Sequence, residues 1–256
     1  MRLGICTSPE NAAIVKECGY DFFEHQVQLL HDASEEEFKQ EANLCEKLGI
    51  YSEAMNCMLH SRYHVTGSTV EMEPIRQYLE KSTARAEALG CKTIVFGSAW
   101  SRNMPDGFSD KKKAFEQLKE YLEIASDICG RHNITIAIEP LHGTNIITYL
   151  SEGHYLLQLV NRENVRLLVD IYALRLNLES YEDIVTYGSF MEHMHFCSLD
   201  RRFPSLDDTY DYTPFFDAIK RSGFDNRISI EGNAGDDFRK DCEEAMKVFK
   251  HFSVTK

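Results

Sequence analysis

Four polar side chains close short apolar runs in the second half of the chain, and their types suit metal chemistry. The runs read Ile134-Thr-Ile-Ala-Ile-Glu139, Val165-Arg-Leu-Leu-Val-Asp170, Met191-Glu-His-Met-His195 and Arg227-Ile-Ser-Ile-Glu231. Three carboxylates and one imidazole form a donor set for a single hard to borderline divalent ion: Mn²⁺ first, then Mg²⁺, Co²⁺ or Zn²⁺. Successive members stand roughly thirty residues apart, the length of one strand, one helix and their loops. One ligand per βα unit, always at the strand's C-terminal end, is how a (β/α)₈ barrel builds a site. A single glutamate after an apolar strand is commonly a salt-bridge or capping residue. The ordered set carries the reading.

The elements that would position these residues alternate along the whole chain. Strands are expected at Leu3–Cys6, Phe22–Val27, Tyr51–Cys57, Thr93–Phe96 and Ile134–Ile138, and then in the three later runs above. Helices are expected around Asn11–Cys18, from Ser34 to Leu48, Val70–Leu89, Lys111–Cys129, Tyr149–Asn161, Tyr181–Tyr187, Tyr212–Ser222 and Asp236–Phe252. Ser34 and Glu37 have capping-box spacing, and Gly49 follows where a left-handed C′ residue would sit. The longest loop-like stretch, Gly97–Asp110, would follow strand four on the site face. The later strands are apolar runs rather than clean alternations, as in a sheet covered on both faces. The fold class expected is an α/β (β/α)₈ TIM barrel, a single domain over residues 1–256.

Composition narrows the partners. A net charge of −13 argues against a polyanion such as DNA or RNA, which needs a basic face. No apolar stretch approaches the roughly 20 residues that span a bilayer. The eight cysteines include no CxxC pair, and most lie in apolar patterns where a thiol packs as a small hydrophobe. Met1-Arg-Leu-Gly-Ile5 runs straight into a strand, so no leader is expected. A reducing cytoplasm fits these features.

The motifs Ile138-Glu139-Pro140-Leu141, Leu168-Val-Asp170-Ile-Tyr, His193-Met-His195 and Ile230-Glu231-Gly232 resemble the metal motifs of the xylose isomerase-like barrels, closest to their sugar isomerase and ketose 3-epimerase branch. Thr144-Asn145-Ile-Ile and Asp211-Tyr-Thr-Pro-Phe-Phe-Asp-Ala-Ile-Lys add smaller matches. The resemblance covers essentially the whole chain. It implies that Glu139, Asp170, His195 and Glu231 hold one divalent metal, and that Glu139 and Glu231 are the acid/base pair on opposite sides of the substrate carbon. A proton beside a carbonyl is too weakly acidic for a carboxylate alone; a cation on the neighbouring oxygens stabilises the enediolate. One carboxylate removes the proton and the other returns it on the opposite face. The resemblance also implies a substrate-binding role for Arg201, a small carbohydrate as ligand, and a possible homo-oligomer.

Two departures bear on the substrate. The epimerases usually carry a histidine three residues after the metal aspartate, where this chain has Ala173. They also carry a glutamate before the Thr-Asn pair, whereas Glu139-Pro-Leu-His142-Gly-Thr-Asn145 is two residues shorter and lacks it. His142 is a candidate replacement, equally readable as a hydrogen-bonded surface residue. Asn56 is a further substrate-binding candidate, as is Trp100, whose ring suits either a sugar C–H face or a loop anchor. His193 reads as a structural histidine below the metal, and His25, His60 and His64 as possible pocket residues. The same metal and carboxylates also suit a lyase or dehydratase of a keto sugar, inosose or keto-glycoside, in which the enediolate expels a β-leaving group. An abasic-DNA endonuclease would need more zinc ligands on the early strands. A non-catalytic sugar-binding subunit would keep the shell without turnover.

Overall fold

The computed structural model describes residues 1–254, so the last two positions of the expected 1–256 domain lie outside the described residues. Parallel strands form a closed barrel in chain order: β1 Arg2–Cys6, β2 Phe22–Gln26, β3 Ala54–Asn56, β4 Thr93–Phe96, β5 Thr135–Ile138, β6 Val165–Asp170, β7 Met191–Phe196 and β8 Arg227–Ile230. β8 closes on β1 through Arg2↔Arg227 to Ile5↔Ile230. The expected (β/α)₈ barrel is the fold.

Outside the sheet lie α1 Ala12–Glu17, α2 Val27–Asp32, α3 Glu35–Leu48, α4 Met72–Ala88, α5 Ala99–Arg102, α6 Lys111–Arg131, α7 Leu150–Val160, α8 Ile171–Leu176, α9 Glu182–Tyr187, α10 Thr213–Ser222 and α11 Phe238–His251. The main core fills the layer between sheet and helices, with Ile94, Phe96, Ile136, Ile138, Leu167, Val169, Met194, Phe196, Ile228 and Ile230 contributed by the strands. α3 starts with the expected box: Ser34 Oγ accepts from the Glu37 amide at 3.2 Å, and the Glu37 carboxylate accepts from the Ser34 amide at 2.7 Å. It ends on Gly49 at φ +63°.

Several segments differ from expectation, among them α8, a helix directly after β6 where none is expected. β3 spans only Ala54–Asn56 of the expected Tyr51–Cys57; at its C-terminal end Cys57 takes a left-handed φ of +52°, which ends extended geometry. β2 stops at Gln26, since Val27 already opens α2. The Gly97–Asp110 stretch contains α5, pinned by the fully buried Arg102, whose guanidinium donates to the carbonyls of Phe96 (3.0 Å) and Ile147 (3.2 Å). No helix among the described residues is long and apolar enough to cross a membrane.

Candidate metal and sugar site

Strand alternation explains how the site is assembled. Val95, Ala137 and Leu168 form a small cluster separate from the main core, inside the barrel. Since side chains on a strand alternate, Gly97, Glu139 and Asp170, two positions further on, also point inward. The same period brings Cys6, Glu24, Asn56, His195 and Glu231 to the interior at the C-terminal strand ends. The runs thus conceal an alternation in which the inward positions are Val95, Ala137 and Leu168 on β4 to β6 but His193 and Ser229 on β7 and β8.

Glu139, His195 and Glu231 converge, with donor atoms all within 4.8 Å of one another. His195 Nδ1 lies 3.0 Å from Glu139 Oε1 and 3.6 Å from Glu231 Oε2. Asp170 pairs in register with His195, and its carboxylate caps α8, accepting from the amides of Tyr172 (2.8 Å) and Ala173 (3.3 Å). Gly97 leaves room for the Glu139 carboxylate, since a Cβ there would stand 1.8 Å from Glu139 Oε2.

Two functional candidates escape sequence reading. Glu24, buried on β2, accepts from His193 Nε2 at 2.9 Å and meets His195 Nε2 at 3.0 Å. Cys6, its register neighbour on β1, completes a second close group with Glu24 and His195. The available signal is an acid in the middle of the otherwise apolar opening of β2, Phe22-Phe-Glu24. His193 also meets Ser229 Oγ at 3.3 Å, one inward position below the candidate ligand His195.

The electrostatics favour a cation. Burial, reinforced by Glu139 and Asp170, pushes Glu231 up to about 8 against the pull of His195 and Arg201. Burial and Glu139 likewise push Asp170 up to about 6. Burial opposes charge on Glu24 too, but the two imidazoles outweigh it and hold its carboxyl well below the usual range. An ionised Glu24 can only accept, so His195 Nε2 carries a proton and Nδ1 faces Glu139 and Glu231. Burial opposes charge on this ring, but Glu24 and Glu231 outweigh it and hold the imidazole well above its usual value. A cation must therefore displace a proton from Nδ1. Two converging carboxylates and one imidazole nitrogen fit a divalent ion of the expected class, while Asp170, the fourth expected ligand, lies outside this close group and caps α8.

The other candidates are scattered around this centre. Arg201, at φ +58°, donates to Glu231 Oε2 at 3.1 Å and lies over the Tyr172 ring at 5.3 Å. Asn56 and Glu231 line one cavity of about 220 Å³, which His25 also borders. His142 is exposed, and its Nδ1 is engaged 2.8 Å from Asn177 Oδ1. Trp100 sits on α5 and is 73% exposed. His60 Nε2 lies 3.6 Å from Asp32, and His64 is exposed. Ala173 is buried in the first turn of α8.

Residues 12–252 match the family model described as xylose isomerase-like TIM barrel, and the chain belongs to that family. No curated protein matches it. Among solved structures it is similar to a D-psicose 3-epimerase determined in the presence of D-fructose, with TM-score 0.87, 15% identity and 100% of both chains covered. It is also similar to the 3-keto-D-glucoside 4-epimerase of E. coli: TM-score 0.81, 17% identity, 98% of this chain and 99% of that one. A third is the IolI protein with a bound zinc atom, at TM-score 0.69 and 18% identity, covering 99% of this chain and 97% of that one. At these identities the likeness establishes a shared fold.

Proposed function

We propose that this protein is a divalent-metal-dependent isomerase or epimerase of a small sugar or sugar derivative, working as one barrel domain in the cytoplasm. The observation that carries this reading is the convergence of Glu139 and Glu231 on the Nδ1 side of one buried imidazole. Family membership and similarity to proteins described as sugar epimerases support it.

In this reading Glu139, Asp170, His195 and Glu231 hold the ion, with Mn²⁺ preferred; zinc in the similar IolI protein keeps Zn²⁺ open. The bound ion supplies charge stabilisation to substrate oxygens as the neighbouring carbon loses its proton. Glu139 and Glu231 remove and return that proton from opposite sides, which inverts the carbon or moves the carbonyl. Arg201 stabilises Glu231 as an anion and offers its remaining N–H groups to substrate hydroxyls. Incubating the Mn²⁺-loaded protein with a panel of ketoses and 3-keto-glycosides, followed by chromatography, tests this. An epimer or isomer is expected, and no product from any member with any of the four metals contradicts it.

One observation favours a second reading, a lyase acting on a keto sugar, inosose or keto-glycoside. Ala173 offers no imidazole, and His142 is tied to Asn177, so the usual grip on a ketose end is absent. Growth of enone absorbance would identify elimination.

A further inference from the structure

The site chamber does not end at Glu231. Ser8, His25 and Leu29 border both the 220 Å³ cavity and an outer one of about 390 Å³, walled by the Pro9 turn, α2 and α3. Small-molecule pockets hold about 300–1,000 Å³, a range the inner chamber misses alone and reaches only together with the outer one.

The outer cavity is built rather than incidental. His25 is 3% exposed, yet its Nε2 has no hydrogen-bond partner. Glu41, on α3, is only half-buried, but its Oε2 is covered and likewise unpartnered. The two atoms stand 3.9 Å apart, too far to bond each other. One hydroxyl oxygen at ordinary hydrogen-bond distance from both would accept from His25 and donate to Glu41. Burial lowers His25 to about 4, so the ring is neutral near pH 7 and carries one N–H. Leu29, 54% exposed, and Leu44 add apolar surface suited to the C–H face of a sugar ring. Glu10, Glu37 and Glu41 line the cavity with no lysine or arginine, which disfavours an anion.

We propose that this cavity is a second sugar subsite, so the substrate is an uncharged disaccharide or glycoside. Its reacting ring lies at Glu139 and Glu231, and its other ring lies over Leu29 with a hydroxyl between His25 and Glu41. This rests on the function proposed above.

Saturation-transfer NMR and competition titrations on the Mg²⁺-loaded protein test it with D-fructose, lactulose (a fructose carrying a second ring) and the anionic disaccharide lactobionate. Lactulose is expected to bind at least about fivefold more tightly than D-fructose, the worth of one added hydrogen bond, with saturation in both rings. Lactobionate is expected to bind more weakly than lactulose. Leu29→Trp fills the cavity from an exposed position, and Glu41→Leu removes the acceptor; each is expected to cut the lactulose advantage to under about twofold. Equal binding of lactulose and D-fructose, saturation confined to the fructose ring, no lactulose binding, or an advantage unchanged in both variants overturns the proposal. Two-ring saturation without turnover of any sugar would sink the isomerase reading alone; turnover with an unsaturated second ring would sink the subsite alone.

Discussion

Glu24 on β2 reaches across the barrel to His195 on β7, its carboxylate oxygen 3.0 Å from Nε2, with both side chains fully buried. The contact decides which imidazole nitrogen faces the acids at the barrel mouth. Its second oxygen holds His193 in the same way, so one carboxylate sets two rings.

Glu24→Gln removes the charge that fixes this tautomer. Metal affinity is expected to fall about 10- to 100-fold, the usual cost of losing a partner behind a ligating histidine. Calorimetric titration with Mn²⁺ measures it, and ¹⁵N shifts of the His195 ring report the tautomer. Unchanged affinity with an unchanged tautomer would show that Glu24 is a packing residue only.

Gly97→Ala tests the closeness of β4 to Glu139. The new methyl must displace the Glu139 carboxylate, the mobile end of a flexible side chain, so the fold is expected to survive. Turnover is expected to drop about 100-fold, as a misplacement near 1 Å can cost. A thermal melt close to wild type with that loss fits; wild-type turnover would place Glu139 outside the chemistry.

The raised Glu231 and Asp170 carboxyls set a pH dependence. The folded, metal-free chain keeps protons that the unfolded chain has already released, so its stability falls as pH rises through about 6 and then about 8. A cation must displace those protons, so its affinity grows over the same window. The rise in Tm on adding Mn²⁺ is therefore expected to be larger near pH 8 than near pH 5. A shift equal at both pH values would show that the ion binds elsewhere.

Arg201→Lys keeps a positive charge but loses the planar fork between Glu231 and Tyr172. We expect KM for the turned-over sugar to rise about tenfold, since Lys does not replace Arg where the guanidinium both stacks on a ring and donates to a carboxylate. KM within twofold of wild type would make Arg201 a rim residue.

The four strand-end groups were legible because a polar residue closing an apolar run stands out in sequence. Glu24 was not, since an acid inside a strand looks like any solvent-facing position until the barrel closes around it. Asp170 showed its position but not its capping of α8, which is visible only as hydrogen bonds from Tyr172 and Ala173. Loop residues were least legible, because no period fixes their direction. His142 turns to Asn177 and Trp100 to the surface for reasons local to the 141–149 turn and to α5, a helix too short to leave a pattern. Glu53 makes the opposite point. It sits close to Asn56 in sequence, yet it binds Arg2 and Arg227 at the N-terminal end of the barrel, where it braces the fold.

Proton transfer by Glu139 and Glu231 is tested most directly by solvent exchange. The Mn²⁺-loaded protein is incubated in D₂O with D-fructose, D-allulose and lactulose, and proton NMR follows the carbons beside the carbonyl. The account predicts deuterium at one such carbon of a substrate, with the rate falling at least about 100-fold in Glu139→Gln and in Glu231→Gln. Absence of deuterium in any sugar, or exchange at the wild-type rate in both variants, would contradict it.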